Sequence, residues 1–166
     1  VILAQELLDD GLLIGRIGLD SPNYARPAQQ VEYFNKLQQR LAALPGVKNV
    51  AISLSSPTWI YNSSSNITLE TADNPTILVN SETVNPSYFE TLEIPLKQGR
   101  GFTDDDRFGR SPVAIINETM ARRFWPNENP IGKQFIFTGD TQRRMHEIVG
   151  IVADIRFPSA MMKPDS

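Results

Sequence analysis

The alternation of apolar and polar positions in the first third of the chain predicts one β-α-β unit. Residues 12–19 and residues 47–54 each have the short alternating pattern of a strand. Between them, Pro27 suits the first position of a helix, and Pro45 with the glycine after it ends that helix. We expect one face of the helix to pack on the sheet through five apolar side chains: Val31, Phe34, Leu37, Leu41 and Leu44.

The middle of the chain predicts a hairpin followed by a short helix. Residues 66–71 and 76–84 have strand patterns, and the Ala-Asp-Asn-Pro segment between them is a turn signal. Asn85 is suited to cap the helix, since Pro86 fits its first turn. The Gly-Arg-Gly segment at 99–101 is predicted to be a tight turn.

The last part predicts a strand, a helix and a second hairpin. Residues 113–116 form a short buried strand, and Asn117 caps a helix that runs through Trp125, with both of its aromatic residues in the core. Residues 134–137 and 145–154 pair around a polar tip at residues 138–144.

These elements predict an α+β fold with two subdomains. Residues 1–54 form the first half of a sheet-and-helix subdomain built on the β-α-β unit. Residues 55–65 are a linker loop rich in serine and asparagine. Residues 66–156 form a second, mixed α/β subdomain, and residues 157–166 are a tail without periodicity.

Composition narrows the range of functions. The net charge of −3 and the absence of a basic stripe argue against a nucleic-acid partner. The chain has no cysteine and one histidine, His146, so neither a zinc–thiolate site nor a histidine-rich metal site is expected. No apolar run reaches the length of about 18–20 residues that spans a bilayer. We expect the chain to be an excised part of a longer protein.

The residues that suggest chemistry have simpler structural explanations. Asp104, Asp105 and Asp106 form the one carboxylate cluster, but their spacing is not that of a calcium loop, and we expect Thr103 or Asp104 to cap a turn instead. Residues 63–65 are consecutive serines without the motif of a serine nucleophile, so a flexible loop is expected. His146 is expected to face solvent on a strand edge. We therefore predict no catalytic, metal-binding or cofactor-binding residue.

An aromatic cluster in the linker loop is the best candidate for a contact surface. Trp59, Ile60 and Tyr61 stand in a polar segment, and such side chains commonly anchor a partner or a hydrophobic ligand. The alternative, equally compatible with the sequence, is that they fold over the sheet and cover the junction of the subdomains.

Five sequence blocks in the second half carry a resemblance to a known family. They are V-x-P-x-Y-F-x-x-L-x-I-P-L from Val84, G-R-x-F-T-x-x-D from Gly99, V-A-I-I-N-E-x-x-A-R-R-F-W-P from Val113, P-I-G-K from Pro130, and the V-G-I-V-x-D block that ends at Asp154. Their order resembles the extracytoplasmic (periplasmic) core domain of MacB/FtsX-type ABC transporter permeases of the acidobacterial type. In that family the chain returns to the first subdomain after the last block, so this subdomain is expected to be incomplete here.

The resemblance implies a non-enzymatic part of a membrane machine. Such a permease couples ATP hydrolysis by a cytoplasmic ABC ATPase to work outside the membrane, namely efflux, lipoprotein handling or regulation of a partner. The implied location is the periplasmic face of the bacterial inner membrane. The implied partners are the ATPase, reached through transmembrane helices, a second copy in a dimer, and a periplasmic adaptor or substrate. The alternatives are a stand-alone soluble ligand-binding protein and a hydrolase.

Overall fold

The structure is a computed structural model that describes residues 2–7, 11–19, 26–54, 64–70, 75–107 and 109–154. The chain divides into two compact units, Val1–Lys48 and Asn49–Ser166. The predicted linker at 55–65 falls almost wholly outside the described residues, and so does the predicted tail. The predicted subdomain boundaries therefore remain predictions.

The first unit contains a two-stranded hairpin and a helix. Strands β1 (Ile2–Leu7) and β2 (Leu13–Ile17) pair in antiparallel fashion. Helix α1 (Pro27–Ala42) begins at the predicted proline, and the side chain of Gln29 accepts a hydrogen bond from the backbone N–H of Arg26 at 3.2 Å. The predicted strand at 12–19 and the predicted helix are both confirmed.

The predicted packing of that helix is wrong. Val31 is 54% exposed and Leu44 is 52% exposed, and Leu41 is exposed as well. Of the five predicted positions, only Phe34 and Leu37 are half-buried, and they share that burial with Tyr33 and Gln38. The physical reason is that residues 47–54 do not form a strand: within the described residues, they contribute one isolated bridge, Ser53 to Val84. The sheet that was expected beneath the helix is therefore not assembled from these segments.

The second unit is built around a six-stranded mixed sheet with two short helices. Its strands are β3 (Ser64–Leu69), β4 (Thr76–Asn80), β5 (Leu96–Gly99), β6 (Val113–Asn117), β7 (Gln134–Phe137) and β8 (Met145–Val152). The helices are α2 (Tyr88–Thr91) and α3 (Glu118–Phe124). The predicted hairpins β3–β4 and β7–β8 are confirmed, and so is the α+β class.

Strand β8 is the centre of this sheet because it pairs with three other strands. Strand β6 runs parallel to it along Glu147–Val152. On its opposite edge, β7 pairs with its first residues, Met145–Glu147, and β5 pairs with its last residues, Gly150–Val152. The hydrogen-bonded path through the sheet runs β4-β3-β7-β8-β5. Strands β7 and β5 follow one another along the same edge of β8, and β6 lies along its other edge.

Two glycines allow the change of partner along β8. Gly99 and Gly150 are directly paired, and Gly99 has a positive φ of 72°. A Cβ atom on Gly99 would lie 2.2 Å from the carbonyl oxygen of Val149, and one on Gly150 would lie 2.3 Å from that of Arg100. No side chain fits such a gap, so the backbones of β5 and β8 approach closely only because both residues are glycine. Gly99 is therefore the last residue of a strand, β5, that the sequence pattern did not predict.

The core lies on the face of the sheet covered by α3. Asn117 caps α3, its Oδ1 accepting from the N–H of Met120 at 3.1 Å, as predicted. Trp125 is 4% exposed and Ile148 is fully buried, which confirms the predicted core role of the aromatic end of this helix. The buried cluster comprises Ile67, Leu69, Ile116, Trp125, Phe135, Ile148 and Ile151.

Candidate functional site

The predicted contact residues Trp59, Ile60 and Tyr61 lie outside the described residues. The structure describes the chain on either side of them. Before them, the N–H of Leu54 donates to the carbonyl oxygen of Thr83 at 3.0 Å, and the Leu54 side chain is 75% exposed. After them, β3 begins at Ser64.

Asn85 holds the segment that leads into this loop. Its Oδ1 accepts from the N–H of Ile52 at 2.9 Å, and its Nδ2 donates to the carbonyl oxygen of Val50 at 3.2 Å. Its own N–H donates to the Ile52 carbonyl at 3.0 Å. The predicted helix-capping role of Asn85 is therefore wrong. The cap position of α2 is Ser87, and the Asn85 side chain instead replaces the missing strand partner of residues 50–52.

The carboxylate cluster is organised by one member, Asp106. Its carboxylate accepts two hydrogen bonds from the Arg100 guanidinium, at 2.6 and 2.9 Å, and two from the N–H and Oγ1 of Thr103, at 2.8 and 3.1 Å. Asp104 and Asp105 are exposed. The residue that caps the turn is thus Asp106 rather than Thr103 or Asp104. Arg100, Thr103 and Asp106 are three of the five fixed letters of the G-R-x-F-T-x-x-D block, so this part of the block specifies the interaction.

The Arg100–Asp106 pair predicts an acid-dependent loss of stability. Hydrogen bonds from Arg100, and then from Thr103, lower the pKa of Asp106 from the ordinary range of an aspartate to about 2. A carboxyl with a lowered folded pKa stabilises the fold above its unfolded pKa, and that contribution is lost as pH falls from about 4 to about 2. Asp106→Asn should cost about 1–2 kcal/mol at neutral pH, because Arg100 is 47% exposed and solvent weakens the pair.

Melting temperature measured against pH checks this prediction. Wild-type protein should approach the Asp106→Asn variant in stability as the pH falls from about 4 to about 2, because the Asp106 carboxylate becomes protonated over that range. Asp105→Asn is the matched control, since Asp105 is exposed and makes no interaction within the described part of the chain. Equal effects of the two substitutions at neutral pH would contradict the assignment.

Asp154 lies two residues beyond β8, and its side chain binds the start of helix α3. Its carboxylate accepts from Asn117 Nδ2 at 2.8 Å, from the N–H and Oγ1 of Thr119 at 2.9 and 2.7 Å, and from Arg122 Nη2 at 2.9 Å. The bonds from Thr119, and then the one from Arg122, lower the pKa of Asp154. Two family blocks, the one that ends at Asp154 and the one containing Asn117, are therefore physically connected by this carboxylate.

His146 is half-buried and lies in strand β8, which has partner strands on both sides, so the expected position on a strand edge is wrong. Its ring stacks on Phe135 with centroids 5.6 Å apart and meets Phe137 edge-on at 4.9 Å. Burial between these rings lowers the pKa of His146. The hydroxyls of Ser64 and Ser65 pair with Asn80 Oδ1 at 3.3 Å and with Ser81 Oγ at 2.9 Å rather than with this histidine. These two serines begin β3 and are not part of a flexible loop.

An open groove of about 630 Å³ lies at the end of the sheet where β3 begins. It is lined by Ser64, Ser65, Asn66, Phe137, Thr138 and Gly139. The sequence pattern predicts a strand that starts at residue 66 and a loop that contains the serines, so it does not reveal this groove. The polar-apolar alternation begins at Asn66, and no pattern marks Ser64 and Ser65 as strand residues.

Within the described ranges, no three acidic or histidine side chains gather in a way that could hold a metal ion. None of the helices there combines the length and the apolar character needed to cross a membrane.

Comparison with known proteins identifies relatives of this domain. The model of the MacB-like periplasmic core domain matches residues 5–166. The macrolide export ATP-binding/permease protein MacB of Mannheimia succiniciproducens is 31% identical over 99 residues, which cover 60% of this chain and 15% of that protein. The protein of the same name from Aggregatibacter actinomycetemcomitans is 34% identical over 71 residues, 43% of this chain and 10% of that protein. The chain thus spans a small part of these relatives.

Solved structures share the fold. The periplasmic region of MacB from Actinobacillus actinomycetemcomitans superposes with a TM-score of 0.55 at 24% identity, covering 72% of this chain and 50% of the other. The extracellular domain of the noncanonic ABC-type transporter YknZ from Gram-positive bacteria gives 0.50 at 22% identity, covering 72% and 56%. Because the family model matches nearly the whole chain, this chain belongs to the family of MacB-like periplasmic core domains, which lie on the extracytoplasmic side of the membrane in ABC transporter permeases.

Proposed function

We propose that this domain transmits the work of a cytoplasmic ABC ATPase to a substrate or partner outside the membrane. The observation that carries the proposal is the match of the family model over residues 5–166. Efflux, lipoprotein handling and regulation of a partner are all compatible with it. The proposed partners are the ATPase, reached through transmembrane segments of the longer protein, a second copy in a dimer, and a periplasmic adaptor or substrate.

The chemistry of the best-connected polar residues supports a mechanical rather than a catalytic role. The carboxylates of Asp106 and Asp154 each accept hydrogen bonds from an arginine and a threonine. Such fully engaged carboxylates tie chain segments together and have low pKa values, whereas a general acid in a hydrolase needs a raised one. The same residues belong to the family blocks. A role for these two carboxylates as the general acid of a stand-alone hydrolase is therefore less well supported.

We further propose that Trp59, Ile60 and Tyr61 contact the partner or substrate. The described segments on both sides of these residues are held in place. Asn85 binds residues 50 and 52 on the N-terminal side, and pairing with β4 holds β3 on the C-terminal side.

The double substitution Trp59→Ala with Tyr61→Ala in the full-length permease tests this proposal. Losing an anchoring aromatic side chain commonly costs about 2 kcal/mol or more, roughly a thirty-fold change in affinity. Transport or partner binding should fall, while ATP hydrolysis by the complex and the melting temperature of the 166-residue chain stay near wild type. Leu78→Ala, which truncates an exposed apolar side chain elsewhere in the unit, is the control.

Two results would contradict the contact role. If the double variant unfolds the chain, the aromatic residues belong to the core. If folding and activity are both unchanged, the contact surface lies elsewhere in the domain.

A further inference from the structure

Among the described strands, only β4 pairs with the first residues of β3. Strand β4 pairs with β3 as far as Ser64, opposite Asn80. Strand β7 pairs with it only as far as Ile67, opposite Phe137, and one further hydrogen bond follows, from the N–H of Thr138 to the carbonyl of Asn66 at 2.8 Å. Beyond it, the β7–β8 connection, residues 138–144, turns away. The two strands therefore diverge like a fork.

At the fork, some backbone hydrogen-bonding groups of β3 have no partner among the described residues. Because the carbonyl of Asn66 points toward Thr138, the N–H and C=O of Ser64, two residues earlier, point to the same side. Within the described part of the chain, no backbone partner meets the N–H of Asn66 or either group of Ser64 on that edge. Unpaired strand edges of this kind are templates for pairing with another extended chain.

The groove beside this edge suits a peptide. It has a volume of about 630 Å³ and is open to solvent, and its lining carries hydroxyls, an amide and the Phe137 ring but no charged side chain. Gly139 adds room, because a Cβ atom there would meet nothing within 4 Å. We propose that this fork binds an extended, uncharged segment of a partner protein, which adds to β3 as a short strand beside Ser64–Asn66.

The wall of the groove is ordered before any partner arrives. Asp140 accepts hydrogen bonds from the N–H of Gln142 at 3.0 Å and from the N–H and Nε of Arg144 at 3.2 and 2.8 Å. The carbonyl of Asp140 also accepts from the N–H of Arg143 at 2.9 Å. A wall that is already folded does not lose conformational entropy when the peptide binds, which favours affinity.

Titration of the isotope-labelled 166-residue chain with a short capped peptide of alternating valine and threonine tests the proposal. Backbone amide signals of Ser64, Asn66 and Thr138 should shift, and exchange of the Ser64 and Asn66 amide protons with solvent should slow. Gly139→Leu fills the groove and should weaken binding by about tenfold or more. Gly139→Ala, the matched control, should bind within about twofold of wild type.

Ser64→Pro provides a second route if the leucine variant is unstable. It removes the outward N–H without removing a bond to β4, because that N–H points away from β4. Ser64→Ala, which keeps the N–H, should bind like wild type. The proposal is overturned if no amide at the fork responds to peptide at millimolar concentration. It is equally overturned if these two amides are already protected in the free chain, because another segment of the same chain then occupies the edge.

Peptide binding at the fork involves residues other than 59–61 and is measured on the 166-residue chain alone. A failed peptide titration would contradict the fork but not the transporter proposal, and loss of transport in the Trp59 and Tyr61 variant would bear on the contact role but not on the fork. The two experiments therefore separate the two proposals.

Discussion

Gly99→Ala and Gly150→Ala should each destabilise the protein by about 3 kcal/mol or more. At Gly99, alanine must adopt a φ of 72° and place its Cβ 2.2 Å from the Val149 carbonyl oxygen. At Gly150, the new Cβ meets the Arg100 carbonyl oxygen at 2.3 Å. Since the atoms in the way belong to the backbone, no side-chain rotation relieves the overlap, and β5 must separate from β8.

Thermal or urea unfolding measures the effect. For a domain of this size, the expected loss lowers the melting temperature by roughly 6–12 °C. Gly101→Ala is the matched control, because it lies two residues from Gly99, has no positive φ and would place its Cβ in open space. If all three variants melt together, the close approach of the two strands is not real.

Ile148→Ala should cost about 2–5 kcal/mol, the range for truncating a fully buried aliphatic side chain. Ile148 has no exposed surface and lies in the central strand, β8, within the main buried cluster. Its neighbours are held by strands on both edges of β8, so the cavity cannot close easily around the missing atoms.

Urea denaturation of Ile148→Ala and Leu78→Ala provides the comparison. Leu78 is 69% exposed on strand β4, and its truncation should change the free energy of unfolding by no more than about 0.5 kcal/mol. Similar losses in both variants would mean that the buried cluster around β8 is placed wrongly.

Elements specified by neighbouring residues were predictable. The cap of α3 at Asn117, its end at Trp125, and both hairpins of the second unit follow from turn residues and short alternating runs. In each case the decisive interactions join residues close together in the sequence, which is why pattern alone located them.

Elements that depend on distant partners were not predictable. All four residues of β5 are exposed, so nothing in their pattern marks a strand, and β5 exists because β8 lies beside it. Residues 47–54 show the reverse: their pattern fits a strand, but their backbone is held by the Asn85 side chain and a single bridge. The apolar stripe on α1 likewise predicted a buried face without revealing which side is covered.

The candidate site was predictable only in part. The roles of Arg100, Thr103 and Asp106 require knowing that a carboxylate three residues on folds back over the turn, whereas the sequence shows only three consecutive aspartates. The fork at Ser64 depends on where β7 stops pairing with β3, a register property that single strands do not reveal.

The position of β8 also has a consequence for how the domain folds as it is synthesised. Among the described strands, β8 is the last in sequence and the one that binds three others. The β3–β4 hairpin can form early. Strands β5 and β6, in contrast, pair only with β8 among the described strands, so they stay unpaired until residues 145–152 leave the ribosome. We therefore expect a late, concerted closure of the sheet, with a slow folding rate set by these long-range pairings.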